Sequence, residues 1–427
     1  MSVSDKPTVL IVGAGLGGLM LGALLEKSGV PYKIFERSAT VKPLGSAMSI
    51  GPTLLPIFEQ LGIHDDILSI GKYLTHTELF KENSGPYKPQ DCRPIEEYTG
   101  YGHYIVSRPK YYEIILKQVP PHKIHFGHRV LDISEENNKV FIHLSNNQTH
   151  EGDIVVGADG AYSAVRQRMY EKLRAKGELP ESDQEDLPFS CTCLVGQTKP
   201  LDPEEFPCIK DPISQFRVVI GDGKPFSWAT ITSAQNTLCF SITHHLSKKT
   251  TKAAIEQRFR NNDNSEWGAY PAQAMCDETR DFAIELGDGK KRTLGDLYDL
   301  TPKELISKVM LEEKVFETWH YRRFVLLGDG AVTAMHDAIA LANLIYAMPS
   351  RTQEDITTLF DEYHKERLPA VIESFKNSQL TKTVRYRPQV GFLPPVALQG
   401  TVLPFVSPSE QKARAVFEET QQHAHIV

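Results

Sequence analysis

Residues 8–18 read TVLIVGAGLGG: a short, wholly apolar run that breaks into glycines and resumes as an apolar-periodic segment. Val9 to Val12 have the composition of a parallel strand buried on both faces. Leu19, Leu21, Leu24 and Leu25 continue as a helix ending near Ser28-Gly29, and a second strand, Tyr32 to Phe35, ends at Glu36. A lone GxGxxG says little, but one that follows a strand, opens a helix and meets an acid at the next strand end has the context of a dinucleotide site. Gly13 permits the tight turn, Gly15 lets a pyrophosphate approach the backbone, and Gly18 lets helix pack on strand. The helix N-terminus adds free N–H groups and partial positive charge. Glu36, eighteen residues beyond Gly18, is placed to accept hydrogen bonds from an adenosine ribose.

Working outward, the chain of 427 residues is long enough for two or three cores, and 41% hydrophobic content is ordinary for a globular protein. A net charge of −7 argues against nucleic acid or an anionic membrane as partner. The basic clusters Lys248-Lys249 and Lys290-Lys291-Arg292 lie in polar, turn-like stretches and read as solvated surface. Cysteines at 92, 191, 193, 208, 239 and 276 form no CxxC pair, so reduced thiols are expected in place of a disulfide frame or a zinc site. There is no leader pattern and no transmembrane segment, which makes a cytoplasmic protein the expectation.

Residues 54–61, LLPIFEQL, predict a helix stopped by Gly62, and another is expected from Lys110 to Val119. Between 123 and 158 three strands are expected: KIHFGHRVLDI, KVFIHL and DIVVGADG. From 189 to 245 successive short strands (FSCTCLVG, SQFRVVIG, FSWATIT, TLCFSITHH) predict an antiparallel sheet. Residues 250 to 320 read as mainly helical and polar, after which RFVLLGD and a long helix restore the α/β pattern. The tail from about 385 is rich in proline and apolar residues. This organisation predicts a discontinuous cofactor domain (1–75, 104–185 and 312–384), a β-rich substrate domain (76–103 and 186–311) and a C-terminal extension, 385–427.

A second motif, residues 153–166, reads DIVVGADGAYSAVR: a buried strand ending in Asp159-Gly160, then Ser163 and Arg166 at a helix start. Two glycines bracket an acid that burial alone would not select. With the glycine-rich turn, this resembles the "DG" fingerprint of class A flavoprotein monooxygenases, the p-hydroxybenzoate hydroxylase type. Glu36-Arg37 resembles that family's acidic-basic pair. Gly45-Ser46-Ala47 resembles its second flavin-facing segment, and Ser107-Arg108-Pro109 its phosphate-contacting arginine. Gly328-Asp329 resembles its strand-end "GD".

The resemblance spans roughly residues 8 to 375. It implies an α/β fold: a Rossmann-type, glutathione reductase-like FAD-binding domain with an inserted antiparallel β-sheet substrate domain. It also implies cofactor contacts at Gly13, Gly15, Gly18, Glu36, Arg37, Arg108, Asp159, Asp329 and Ala331. The implied chemistry reduces FAD with NADPH or NADH as a transient donor and adds O2 at flavin C4a. The resulting hydroperoxide then hydroxylates or epoxidises a small, aromatic or meroterpenoid-like substrate.

The chain departs from the family's pattern after Asp329. Where the family runs G-D-A-x-H-x-x-x-P-x-x-G-x-G, this sequence passes from Asp329 to Gly330-Ala331-Val332, while the following helix keeps its apolar stripe at Ala331, Met335, Ala338, Ala342 and Ile345. A second reading therefore stands beside the first: a member that keeps the fold but binds FAD weakly or not at all, as an internally deleted isoform or a mis-spliced gene product would. Asp329 would then be an N-cap for the helix.

No catalytic residue is singled out. Phe216, Trp228, Phe240, His244, His245, His103 and Tyr104 are pocket-lining options, each more often core or surface. His122, His125 and His128 recur every three residues in a predicted strand, a spacing that does not place all three on one face, and no metal site is expected.

Overall fold

The computed structural model describes residues 6–40, 46–87, 89–246 and 269–386. Lys248-Lys249, Gly45 and nearly all of the C-terminal extension lie outside them. The first layer is a six-stranded sheet. From one edge its order is His320–Tyr321, Phe324–Leu326, Ile154–Gly157, Val9–Val12, Tyr32–Glu36 and Ile124–Phe126. All neighbours are parallel except the outermost pair, His320–Tyr321 with Phe324–Leu326. The order places Val9–Val12 between the second strand of the β-α-β unit and the DG strand, burying it on both faces as its composition requires.

One face of this sheet is covered by the helices Leu16–Lys27 and Ala331–Ala347 and by the first turns of Gln353–Tyr386. The other is covered by Ala164–Lys176 and a three-stranded antiparallel sheet, Val130–Glu136, Lys139–Leu144 and Thr149–Gly152. Helix packing is close. A Cβ on Gly17 would lie 2.7 Å from that of Ala334, so the two covering helices meet at a glycine–alanine contact.

The antiparallel expectation for 189–245 holds. Phe189–Gln197, Thr237–His245, Phe226–Ser233 and Phe216–Ile220 are adjacent in an eight-stranded sheet, which His76–Lys81, Gly85–Pro86 and Gln90–Asp91 extend. The remaining strand corrects a reading. Residues 250–320 were expected to be mainly helical, yet Ser307–Glu312 pairs with Phe189–Gln197 as an edge strand. Its alternating, half-polar composition is that of an edge strand, which local pattern does not separate from a polar helix.

A second correction concerns KIHFGHRVLDI. It is two strands in two sheets, Ile124–Phe126 and Val130–Glu136, divided at Gly127, whose φ of 74° redirects the chain. That break also brings the His125 and His128 rings to 5.8 Å. The helix expected from Lys110 begins at Arg108 and ends at Leu116. The helix over 54–61 is found at Leu55–Leu61, stopped by Gly62 with φ 76°.

A second three-stranded sheet (Ala47–Ile50, His103–Ser107, Gly71–Leu74) packs against the large one, sharing a small core through Leu74, Ile105, Ile231 and Cys239. Among the described residues, no helix is long and apolar enough to cross a membrane.

Candidate cofactor site

The site is assembled from strand ends. Val12, Phe35 and Gly157 finish neighbouring parallel strands in register, so the loops that follow emerge together at one edge. Gly13 has φ 106°, and a Cβ there would sit 2.3 Å from the Ala158 carbonyl oxygen. The glycine-rich turn and the DG turn therefore touch through backbone. Gly18 is as constrained, because its Cβ would fall 2.1 Å from the Gly13 carbonyl oxygen. Gly15 differs: a Cβ would meet nothing within 4 Å. Gly15 is the N-cap of Leu16–Lys27, and no side chain caps that helix. Open space above uncapped N–H groups is the geometry an anion needs.

Glu36 lies beside this cradle. Its carboxylate accepts from the Ala14 N–H at 2.9 Å and the Ser38 N–H at 2.8 Å, bracing the glycine turn against the second strand. Tyr112, which sequence reasoning did not single out, donates its hydroxyl to the Ala14 carbonyl at 2.9 Å. Burial, with Glu36 nearby, pushes its phenol up to about 12, so it remains a donor. Tyr112 stands one turn after Arg108, whose own N–H donates to the Ser46 carbonyl at 3.0 Å. The pair holds the Arg108–Leu116 helix beside the cradle, and burial lowers the Arg108 guanidinium from its usual value. An aromatic position four residues after the arginine was the available signal for Tyr112.

Asp159 uses one carboxylate oxygen to cap the next helix, accepting from the Ala164 N–H at 2.6 Å, while Ser163 accepts from the Arg166 N–H at 3.0 Å. Its other oxygen, Oδ1, is buried without a protein partner. Desolvation raises its pKa, opposed by the hydrogen bonds of that helix start. Arg166 donates to the Ala161 carbonyl and closes the turn.

Asp329 reaches the same place from the far side. Gly160, at φ 79°, would place a Cβ 3.1 Å from Asp329 Oδ1. Arg37, Asp159 and Asp329 thus line one cleft of about 460 Å³, together with Tyr162, Leu311 and Glu312 of the facing wall. Tyr162 hydrogen-bonds Glu312 across it, tying the DG turn to the edge strand of the large sheet. Arg108 and Ala331 do not line this cleft.

The join after Asp329 is short. The strand ends at Leu326 and the helix begins at Ala331. Both neighbours nevertheless keep their places. Leu326 stays in register with Gly157, and the Leu327 N–H donates to the Gly157 carbonyl at 2.9 Å. The Gly328 N–H donates to Asp337 Oδ2 at 2.9 Å, and Asp337 Oδ1 accepts from Arg367 Nε at 2.7 Å, a buried ion pair that pins the join to the long C-terminal helix. Asp329 does not serve as an N-cap; Gly330 holds that position, without a side-chain cap.

The inserted sheet separates the pocket-lining options by face. Trp228 and Phe240 enter the outer core with Ala272 and Met275. His244 stacks on Phe226 at 4.3 Å, on that same outer side. Phe216 packs with the small sheet's core, and His245 bonds Ser227 at 3.2 Å on the inner side. His103 packs against Gly51, where a Cβ would lie 2.8 Å from its ring, and Tyr104 tilts on Tyr73 at 5.6 Å.

A family model described as "FAD binding domain" matches residues 6–192. The chain is 24% identical over 402 residues to the FAD-dependent monooxygenase atmM of Aspergillus flavus, covering 89% of this chain and 78% of that protein. It is 25% identical to the FAD-dependent monooxygenase paxM of Penicillium paxilli, covering 90% and 80%. In fold it is similar to CtdE, solved with FAD and a substrate (TM-score 0.71, 15% identity, 98% and 100% covered). It is also similar to Klebsiella pneumoniae HpxO, solved with FAD and uric acid (TM-score 0.66, 18% identity, 97% and 92% covered). The glycine cradle, DG turn and strand-end aspartate converge within and beside the segment that matches the FAD binding domain, and the chain is similar over most of its length to FAD-dependent monooxygenases, with FAD as its cofactor.

Proposed function

We propose that this protein hydroxylates or epoxidises a small aromatic or meroterpenoid-like molecule, taking electrons from NADPH or NADH and oxygen from O2, in the cytoplasm. The observation that carries the reading is the convergence of Gly13, Asp159 and Asp329, from three separate chain segments, on one strand-end edge facing the large antiparallel sheet. FAD, when reduced, supplies the activation of O2; the rest is the chain's work.

The open cradle at Gly15 fits a pyrophosphate, with Gly13 and Gly18 shaping the turn. Glu36 would accept from the adenosine ribose while still bracing Ala14. Arg37 and Arg108 would meet phosphate charge. Asp159 shapes the DG turn, and Asp329 would accept from the ribityl chain. The uncapped helix start at Gly330-Ala331 would supply N–H dipoles toward the flavin. We assign 1–75, 104–185 and 312–384 to the cofactor domain and 76–103 with 186–311 to the substrate domain, so that the cleft between them excludes water from the reacting atoms.

A second reading rests on one observation: only residues 327–330 separate strand from helix. That leaves little backbone to lie beside the flavin, and favours a member with weak FAD binding and no turnover. Purification decides between them. The monooxygenase reading expects yellow protein with about one FAD per chain and NAD(P)H oxidation stimulated by an aromatic substrate. Colourless protein that gains FAD only after an A-x-H-x-x-x-P-x-x-G loop is inserted behind Asp329 would establish the second reading instead.

A further inference from the structure

The inner face of the large sheet carries a feature that the cofactor site does not use. Across adjacent strands, Val195 pairs with Ser241, and Cys193 pairs with both Thr243 and Val309. Strand alternation puts these side chains on the face opposite Leu194, Phe240 and Ile242, which fill the outer core. Val195, Ser241 and Thr243 lie on interior strands, yet they and Val309 are only half-buried. Side chains at the centre of a wide sheet remain half-exposed only where that face looks onto a gap.

The gap has defined ends. At one, Ser46 donates to the Gly196 carbonyl at 2.9 Å and Ser107 to Gln197 Oε1 at 3.1 Å. At the other, Tyr162 bonds Glu312. These two seams hold the cofactor-bearing layer against the sheet, and Val195, Ser241, Thr243 and Val309 lie between them.

We infer that the tile Val195, Ser241, Thr243 and Val309 is the floor of the substrate chamber and sets substrate size, selecting a neutral, flat, fused-ring molecule over a single-ring or anionic one. The inference rests on the proposed oxygenase reading and narrows its substrate class. Two strand spacings make the floor about 10 Å across, wide enough for three fused rings. No large side chain rises from it. Its chemistry is two aliphatic groups and two hydroxyls, with the Cys193 thiol in register between Thr243 and Val309, so a flat apolar surface is matched, while a carboxylate laid on it would lose water with no cation among these side chains in return.

The test is calorimetric binding of three probes to the FAD-loaded protein: 9-phenanthrol (three rings, neutral), 4-propylphenol (one ring, neutral) and 4-hydroxybenzoate (one ring, anionic). The wild type is expected to bind 9-phenanthrol about tenfold more tightly than 4-propylphenol, with 4-hydroxybenzoate weakest. Ser241→Phe is expected to weaken 9-phenanthrol about tenfold while leaving 4-propylphenol within about threefold. Val195→Phe, on the neighbouring strand, is expected to do the same. Melting curves identify any variant that fails to fold, and the other then carries the test. Equal affinity for 9-phenanthrol in the wild type and a folded Phe variant overturns the floor, as does a wild type that prefers 4-hydroxybenzoate. The oxygenase reading is judged separately, by probe-stimulated NAD(P)H oxidation in the wild type, so either can fall while the other stands.

Discussion

The glycine-rich turn and the Gly328–Ala331 join occupy equivalent places, each linking a parallel strand end to a helix that covers the same face of the sheet. They are built on opposite principles. The first is held by backbone: Gly13 rests against Ala158, and Gly18 against Gly13. The second is held by a side chain reaching back from within its own helix, Asp337 accepting from the Gly328 N–H while paired to Arg367. Both leave the helix N-terminus without a side-chain cap, at Gly15 and at Gly330. A turn held by a buried ion pair keeps strand and helix in register even where few residues connect them. It does so here across residues 327–330, a join one residue longer than the glycine turn at 13–15.

The comparison breaks most visibly at Gly13. Gly13→Ala must relieve a 2.3 Å contact and abandon φ 106°, and is expected to cost about 4 kcal/mol and all FAD retention. Gly15→Ala is the matched control. It meets nothing within 4 Å, so melting temperature should hold while FAD affinity falls. Equal thermal losses in the two variants would show that the cradle is not divided between turn and ligand as described.

The other join is tested at Arg367→Met, which strands the Asp337 carboxylate in the core. A loss of about 3 kcal/mol in urea unfolding is expected, with the slope of the transition unchanged. An unaffected midpoint would mean that the ion pair does not hold the join.

A smaller effect should come from His336, which bonds Thr53 Oγ1 at 3.1 Å. Burial, with Arg367 adding to it, depresses its pKa to about 4. The unfolded chain therefore takes up this proton before the folded one does. The stabilisation is complete above the ordinary histidine value near 6.5 and is lost as pH falls toward 4. His336→Asn is expected to remove about 2 kcal/mol of the acid-induced destabilisation across that window, allowing for partial exposure. Wild type and variant losing stability in parallel would assign the acid sensitivity elsewhere.

Much of the cofactor layer was legible because its determinants are local. Glycines at 13, 15 and 18, the apolar run before them and Glu36 beyond specify a strand, turn, helix and strand without reference to the rest of the chain. DIVVGADG and RFVLLGD read as buried strands for the same reason. Tyr112 was missed because its role, a hydroxyl on the Ala14 carbonyl, depends on a contact 98 residues away. Ser307–Glu312 was missed because an edge strand carries half the apolar content of a central one. KIHFGHRVLDI was read as one strand because alternation continues through Gly127, where the chain leaves one sheet for another.

What the sequence determined by itself was a strand, a glycine turn, a helix and Glu36 at the next strand end, with the alternation of the antiparallel strands, since each follows from backbone geometry within a few residues. Only the tertiary structure decided which side of those strands looks inward. Trp228 and Phe240 went to the outer core and Val195 and Ser241 to the gap, because a strand offers two faces and the layers packed on them choose between the two. The same holds for the join: whether four residues suffice between strand and helix depends on Asp337 and Arg367 meeting in the core, 30 residues apart in the chain.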